Sequence, residues 1–584
     1  VSARLIGPPL PPPTSPTINA ALRRAAATSL GVTLVDAREA EVPLSFAELR
    51  ASARRVAASL LARGVAPGDR VAIVLPTGRD FLDAFFGAQL AGAVPVPLYP
   101  PVRLGRMDEY ARATARMLTA VRPVVVLTDR RVQLLLGRAI ERARPPRGCH
   151  TVTELRDTRE EAELEVSPDA LGLIQFSSGS TADPKPVALT HGNLVAQCAS
   201  LRGLLADPSG EPPVGVTWLP LYHDMGLIGC LLSAVAFPGS LVLLAPEVFL
   251  ARPALWLRAL SRHRGVVSPA PSFAYGLCVK RVRDDDLAGV DLSAWRYALN
   301  GAEPVSVDVI ARFCERFRPY GFRRASLMPV YGMSEASLAV TFTAAAGDKR
   351  VLRVDPDALA ATGRARPGAR ALASVGVPVP GAEVELRGEA GEALGERAVG
   401  RVWARAPFVM AGYFGDPEAT ARALRDGWLD TGDLGFVDGG ELFLCGRARD
   451  IVIIRGANHA PQEFEDCLDE VEGVRTGCAV ALGFTPDDAE GEQLLLLVES
   501  AAPDPALAQR VAAAVAERTG VRAHAVVLLT PGTLPRTSSG KLRRAESLRR
   551  YLDGTLRAPA PVNALTLGVE VARSAVGFAK SRLG

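Results

Sequence analysis

The sequence predicts an α/β protein, with a large N-terminal region of parallel strands flanked by helices and a small α+β domain at the C-terminal end. Three observations predict it. From Leu44 onward, short apolar runs rich in β-branched residues alternate with stretches of helical period, which implies a parallel sheet covered by helices. After Gly446 the character changes, and a segment of roughly one hundred residues, a common domain size, carries its own strands. The chain has 584 residues, too many for one ordinary core.

The elements follow in order. Six prolines between Pro8 and Pro16 predict a disordered or extended arm, and residues 1–43 form this arm and its lead-in. Ser45-Phe46-Ala47-Glu48-Leu49 opens a helix with Leu49, Ala53, Val56, Ala57, Leu60 and Leu61 at helical spacing, and Gly64 closes it. Arg70 to Leu75 reads as a buried strand. A helix from Arg79 to Gly92 and a strand from Ala93 to Leu98 follow, ended by Tyr99-Pro100-Pro101. Further strands are expected at Arg122 to Thr128, Leu171 to Phe176, Gly215 to Leu219, Leu241 to Leu244 and Gly265 to Ser268. Met225 to Pro246 holds 22 residues without a charge, long enough to suggest a membrane span. Pro238-Gly239-Ser240 interrupts it, so a buried helix, a turn and a buried strand are the better reading. The C-terminal domain should contain strands at Asp450 to Ile454, Gly477 to Leu482 and Gln493 to Glu499. Its joint with the large domain falls near Arg447 to Asp450.

Composition excludes several classes. Hydrophobic residues make up 48% and charged residues 22%, as in a globular protein. With 67 basic and 63 acidic residues the net charge is +4, so bulk electrostatics argue for no nucleic-acid partner. The eight cysteines form no CxxC pair and no His stands at metal-ligand spacing. Neither a zinc site nor a disulfide framework is expected, and scattered thiols fit a reducing cytoplasm. No secretory signal pattern is visible.

Four segments carry chemistry. Phe176-Ser177-Ser178-Gly179-Ser180-Thr181-Ala182-Asp183-Pro184-Lys185 follows a strand directly. Its hydroxyls and backbone N–H groups suit a phosphate nest, to which Lys185 adds charge; read alone, it is equally a Ser/Thr-rich surface turn. It is not a P-loop. Tyr331-Gly332-Met333-Ser334-Glu335 follows an apolar strand at Ser326 to Val330. An aromatic there can stack on adenine and a carboxylate can hold Mg²⁺; the alternative is a loop with a solvated Glu. Trp428-Leu429-Asp430-Thr431-Gly432-Asp433-Leu434 precedes Gly446-Arg447-Ala448-Arg449-Asp450, and such carboxylates accept ribose hydroxyls, although a TGD triplet is also an ordinary turn. Leu534-Pro535-Arg536-Thr537-Ser538-Ser539-Gly540-Lys541 offers a lysine on a small-residue loop, able to neutralise converging anions or simply solvated.

Taken together and in this order, the four segments resemble the adenylate-forming superfamily of acyl-CoA synthetases, nonribosomal adenylation domains and luciferases, over about Leu44 to Tyr551. The resemblance implies a large N-terminal domain with mixed sheets and flanking helices (44–447) and a small mobile C-terminal α+β lid (448–555). It implies ATP and Mg²⁺ as cofactors. Ser177, Ser178, Gly179, Ser180, Thr181 and Lys185 match the phosphate loop, and Gly301-Ala302-Glu303-Pro304 matches the adenine-binding strand end. Tyr331 with Gly332, Met333 and Ser334 would meet adenine, Glu335 would ligate Mg²⁺, and Asp433 and Arg447 would hold the ribose. Arg449 and Asp450 match the hinge, and Lys541 the lysine that drives adenylation. Ala182 and Pro186 depart from the glycines many members carry.

Within the superfamily the chain is most similar to fatty acyl-AMP ligases, which pass a fatty acyl group to the phosphopantetheine arm of an acyl carrier protein. Trp218-Leu219-Pro220-Leu221-Tyr222-His223-Asp224-Met225-Gly226-Leu227 supports this, as does Pro271-Ser272-Phe273-Ala274-Tyr275-Gly276-Leu277-Cys278, where Ser272 replaces a frequent Asn. Asn458-His459-Ala460-Pro461-Gln462-Glu463-Phe464-Glu465 is the third such segment, with His459 where CoA ligases usually show an apolar residue. The stretch between Glu335 and the turn Ser374-Val375-Gly376 is longer than in CoA ligases. The extra residues, 348–372, resemble the insertion thought to restrain the lid; a neutral surface loop is the alternative. The resemblance places His223, Asp224 and Tyr275 at the fatty-acid substrate, with a packed structural role as the alternative for His223.

Three rival readings remain. A fatty acyl-CoA ligase shares every adenylation residue, an amino-acid-activating domain would pair Asp224 with an ammonium, and a non-catalytic binding module would not need both Glu335 and Lys541. Beyond the lid, residues 556–584 place Leu565, Val569, Ala572, Val576, Ala579 and Leu583 on one helix face. Either this helix caps the lid or stays disordered, or it docks an acidic carrier protein or a membrane surface.

Overall fold

Parallel strands need crossover connections, and here helices supply them, as the alternating pattern demands. The computed structural model describes residues 3–101, 104–177, 184–205, 210–345, 347–454, 457–468, 471–486, 492–502, 504–537, 540–559 and 563–583. In the large domain, Gly31–Val35, Ser240–Leu244, Val214–Thr217, Val267–Ala270, Tyr297–Asn300 and Leu327–Gly332 run parallel side by side. The sheet then turns antiparallel through Ala339–Phe342, Arg370–Pro378, Glu441–Arg447, Trp428–Asp438, Gly400–Arg405 and Glu383–Arg387. A second, parallel sheet joins Val94–Leu98, Arg70–Val74, Val125–Thr128 and Cys149–Thr151. Leu171–Phe176, Pro186–Thr190 and Gly412–Tyr413 form a third. Mixed sheets with flanking helices are therefore what the chain builds.

Local sequence explains the elements. The helix Phe46–Ala62 starts in a capping box: Ser45 Oγ accepts the Glu48 N–H at 3.1 Å, and the Glu48 carboxylate accepts the Ser45 N–H at 2.9 Å. The uncharged stretch after Asp224 forms short helical turns to Ala236, including a π-helical piece at Leu227–Leu232, and then the strand Ser240–Leu244. Leu227, Ile228, Leu231 and Leu232 are fully buried in protein. No helix among the described residues is long and apolar enough to cross a membrane. All eight cysteines are free thiols.

The N-terminal arm takes the extended alternative, not the disordered one. Arg4–Ile6 pairs antiparallel with Glu383–Arg387, and Ala3 is buried. The proline-rich stretch begins against the same sheet, where the Gly381 N–H reaches the Pro8 carbonyl at 2.8 Å. The lead-in is also more structured than the prolines suggested. A helix at Ile18–Ala25 and a hairpin of Gly31–Val35 with Glu41–Ser45 belong to the large domain's core.

The C-terminal domain contains the hairpin Val452–Ile454/Ala457–His459 and a sheet of Ala479–Phe484, Gln493–Glu499 and Ala525–Leu529, with its own apolar core. It is closed on the large domain. Arg106 donates to the Gly532 and Thr533 carbonyls at 3.0 and 2.9 Å, and Arg550 pairs with Glu109 at 2.9 Å.

The tail corrects its expectation in two respects. The helix Ala564–Leu583 neither caps the lid nor stays disordered; it packs on the helix Arg130–Ala143 of the large domain. The face it buries is not the apolar one. Ser574 and Gly577 are buried, whereas Val569 is 43% and Val576 54% exposed, and Ala572 and Ala579 are exposed too. The reason is steric. Small residues let the two backbones touch: a Cβ on Gly577 would lie 2.5 Å from the Gly137 carbonyl. Ser574 Oγ accepts the Gly137 N–H at 2.7 Å. The side chains of Leu565 and Leu583 lie outside the described residues.

Candidate active site

Parallel strands deliver their C-terminal ends to one edge of the sheet, where ligands of such folds bind. Here those ends are followed by Gly301-Ala302-Glu303 and by Met333-Ser334-Glu335. Of these residues Ala302, Met333, Ser334 and Glu335 border a cavity of about 1010 Å³. Lys185, His223, Asp224, Glu335, Arg447 and, from the small domain, Lys541 line it together. Lys185 and Lys541 belong to the first and last of the sequence motifs, and only the fold brings them to one space.

The segment read from the sequence as a phosphate loop lies in the chain between Leu171–Phe176 and Pro186–Thr190. Its stem is closed by the Ser177 N–H donating to the Lys185 carbonyl at 2.9 Å, and by the Lys185 N–H donating to Ser177 Oγ at 3.2 Å. Ser178, Gly179, Ser180 and Thr181 lie outside the described residues. Lys185 Nζ sits 4.5 Å from the centre of the Tyr413 ring, a cation–π contact. The Tyr413 hydroxyl donates to Glu335 Oε1 at 2.9 Å. One tyrosine therefore joins the loop lysine to the carboxylate. No motif in the sequence singles it out, because it arrives by pairing Gly412–Tyr413 with Val187 and Ala188.

Glu335 is 9% exposed, and burial pushes its carboxyl above the ordinary range. A buried carboxylate steadied by a tyrosine hydroxyl at the cavity edge suits a hard cation that also binds phosphate oxygens.

The strand ends carry the remaining nucleotide candidates. Ala302 holds a left-handed φ of 69°, a strained conformation that clusters at functional sites. The Glu303 carboxylate accepts the Phe273 N–H at 2.6 Å, at the start of the helix Ser272–Arg281, so its side chain is engaged there. Gly301 lies against Val330, leaving no room for a side chain. Tyr331 is 7% exposed, and its hydroxyl donates to Asp433 Oδ2 at 2.6 Å. Gly332 and Met333 line the cavity beside it. Asp433 and Arg447 face each other across paired strands, with Arg447 Nε 3.2 Å from Asp433 Oδ1. Asp433 and Asp450 hold the half-buried Arg447 charged against the cost of burial. Arg449 lines the cavity next to the joint, and Asp450 lies 3.8 Å from Arg544 of the small domain.

At the acid end, His223 Nδ1 lies 2.6 Å from Asp224 Oδ1, and the Ser334 hydroxyl donates to Asp224 Oδ2 at 2.6 Å. Lys541 is held below its ordinary value by burial, which Asp224 opposes most strongly. Tyr275 is a correction. It is fully buried, donates to the Leu299 carbonyl at 3.1 Å, and packs edge-on against Trp256 and Phe313. It belongs to an aromatic core behind the sheet rather than to the cavity wall, because its helix turns that face inward.

The lining also includes the apolar side chains of Leu201, Cys230, Leu241, Val267 and Leu299, with Arg24, Arg202 and Glu211 among them. It thus offers charged groups together with a large apolar lining, as a carboxylic acid with a hydrocarbon chain requires.

Residues 22–414 match the family model described as AMP-binding enzyme. A Caulobacter vibrioides protein provisionally named an acyl-CoA synthetase is 37% identical over 562 residues, covering 92% of this chain and 96% of its own. A long-chain-fatty-acid–AMP ligase of Mycobacterium marinum is 36% identical over 547 residues, covering 87% and 91%. A solved structure from work on fatty acyl-adenylate ligases of E. coli and L. pneumophila superposes with a TM-score of 0.86 at 36% identity, covering 93% of this chain and 98% of that one. The chain belongs to the AMP-binding enzyme family.

Proposed function

We propose that this protein uses ATP to convert a fatty acid into acyl-AMP with release of pyrophosphate, and then passes the acyl group to the phosphopantetheine thiol of an acyl carrier protein. The observation that carries the first step is the meeting of Lys541 with Lys185, Glu335 and Arg447 around one cavity that has a large apolar lining. Attack of a carboxylate on the α-phosphate brings two anions together, so the protein's task is positioning and charge neutralisation. Lys541 and Lys185 supply positive charge, one from the small domain and one from the large. Asp433 and Arg447 are set to hold the ribose, and Tyr331, fixed by Asp433, to flank the adenine. Glu335 would hold Mg²⁺, which supplies further charge neutralisation at the phosphates. No nucleophilic side chain is needed.

The preference for a carrier-protein thiol over CoA is supported by the segment 348–372. It forms the strand Val351–Val354 and the helix Pro356–Thr362, and leads into Arg370–Pro378. The helix packs against the small domain's hairpin at Ala457–His459. Arg370 donates to Glu463 Oε1 at 2.6 Å, and Glu463 Oε2 lies 2.9 Å from His459 Nδ1. An insertion tied to the lid this way favours the adenylating pose over the rotation a CoA thiol requires. Arg449 and Asp450, at the joint between the two domains, would be the hinge of that rotation. A CoA ligase is the second reading, favoured by the name of the Caulobacter relative.

The test is an assay with ATP and a panel of fatty acids, run with CoA and with holo carrier protein side by side. Pyrophosphate release with acyl transfer to the carrier is expected. Robust CoA thioester formation would install the second reading.

A further inference from the structure

Adenylation moves no proton, yet the acid end of the cavity is built to accept one. His223 Nδ1 lies against Asp224 Oδ1 at 2.6 Å. Asp224 is 6% exposed and also accepts hydrogen bonds from the Ser334 hydroxyl and the Met225 N–H, at 2.6 and 2.7 Å. Its carboxyl is held well below the usual range: burial works against the charge, but His223, Ser334 and Lys541 outweigh it. A carboxylate fixed on Nδ1 places the hydrogen there and leaves the lone pair on Nε2. That Nε2 is buried and has no hydrogen-bond partner among the described residues. An orphaned buried acceptor is costly, and the ring that carries it lines the reaction cavity together with Ser177 and Lys541.

Accepting the acyl-AMP reading of the site, we propose that His223 is the general base of acyl transfer. Nε2 takes the proton of the incoming thiol as its sulfur bonds to the acyl carbon. The bond between that carbon and the phosphate oxygen breaks, and its electron pair leaves with AMP. The products are the thioester, AMP and an imidazolium paired with Asp224. Asp224 is the positioning residue, holding the tautomer before the step and the charge after it. The charged groups around the pair are Asp224 itself, Lys541 and Glu335, with Arg447, Glu303 and Asp433 beyond the lysine.

The experiment supplies chemically synthesised acyl-AMP to the full chain, so that transfer is read without ATP chemistry. Two acceptors are compared: a holo carrier protein, whose alkyl thiol is protonated at neutral pH, and an aryl thiol already ionised there. The His223→Gln variant should slow transfer to the carrier about 100-fold, and transfer to the ionised thiol by no more than about fivefold, because only the first needs a base. The Asp224→Asn variant should show the same selectivity. Thermal unfolding checks that each variant folds, and if Asp224→Asn does not, His223→Asn takes its place. Equal slowing with both thiols overturns the proposal, as does a wild-type chain that transfers to neither. Failure of the wild-type chain to form acyl-AMP from ATP and any fatty acid overturns the adenylation reading instead, and the two failures are read in separate tubes.

Discussion

The Arg370 guanidinium reaches Glu463 across the boundary between the large domain and the lid, donating at 2.6 Å to a carboxylate that also holds His459. The side chains of Arg370 and Glu463 are only 14% and 5% exposed. Removing one partner of a buried ion pair costs at most about 3–5 kcal/mol, and less here because Arg370 keeps some solvent. Arg370→Ala should therefore loosen the lid without unfolding it. CoA thioester formation is expected to rise severalfold over wild type while acyl-AMP formation stays within about threefold. Limited proteolysis should show faster cutting near Arg449. Unchanged CoA ligation and unchanged proteolysis would mean that this pair does not restrain the lid.

Lys541 reaches the cavity from the lid, where Asp224 is the main group that supports its charge. Its ammonium is needed most as two anions converge, so its effect belongs to the transition state. Lys541→Ala should lower acyl-AMP formation on the order of 100-fold or more while ATP affinity changes little. Single-turnover pyrophosphate release and equilibrium ATP binding separate the two. Near-normal release by the variant would remove Lys541 from the chemistry.

Glu335 yields a prediction with a defined sign. Burial raises its carboxyl above the ordinary value of 4.5, so the fold favours the neutral form. Well below pH 4.5 the folded and unfolded states are both protonated and no penalty exists. As pH rises from there through the raised folded value, the unfolded state loses its proton first and stability falls. Glu335→Gln removes this dependence. The variant should melt higher than wild type at about pH 7.5 in the absence of nucleotide and Mg²⁺, with the gap closing as the medium is acidified, and should lose Mg²⁺-dependent activity. A lower melting temperature at that pH would show that the charge is stabilised rather than tolerated.

Legibility in the sequence followed the range over which each signal acts. Leu171–Phe176 and Gln493–Glu499 occupy the residues expected of them, because a buried strand is written in consecutive apolar residues. The motifs were legible for the same reason: each packs its small residues, hydroxyls and charges into one short loop. Tyr413 was invisible, since its contacts with Lys185 and Glu335 depend on pairing between strands far apart in sequence. Tyr275 misled because an aromatic inside a motif reads alike whether its ring faces the cavity or the core. In the tail, the hydrophobic period marked a real helix but the wrong face: Ser574 and Gly577 win the contact by being small.

That close contact supports the last prediction. Gly577 meets Gly137 with no space for a side chain, since an added Cβ would lie 2.5 Å from backbone atoms that cannot yield as a flexible side chain would. Lys580 near Glu141, at 3.4 Å, and Arg138 near Glu570, at 3.8 Å, are partly exposed pairs and contribute little on their own. The Gly137–Gly577 approach, the Ser574 hydrogen bond and Phe578, packed on the apolar cluster that holds Leu136 and Ile140, therefore hold the helix in place. Gly577→Leu should wedge the tail off the helix Arg130–Ala143. Leucine also favours the helix itself by about 0.8 kcal/mol over glycine, so loss of docking cannot be attributed to a weaker helix. Amide hydrogen exchange should quicken in both helices and protease should remove the tail, while acyl-AMP formation remains. Wild-type exchange rates in the helix Arg130–Ala143 of the variant would show that the tail does not cover it in solution.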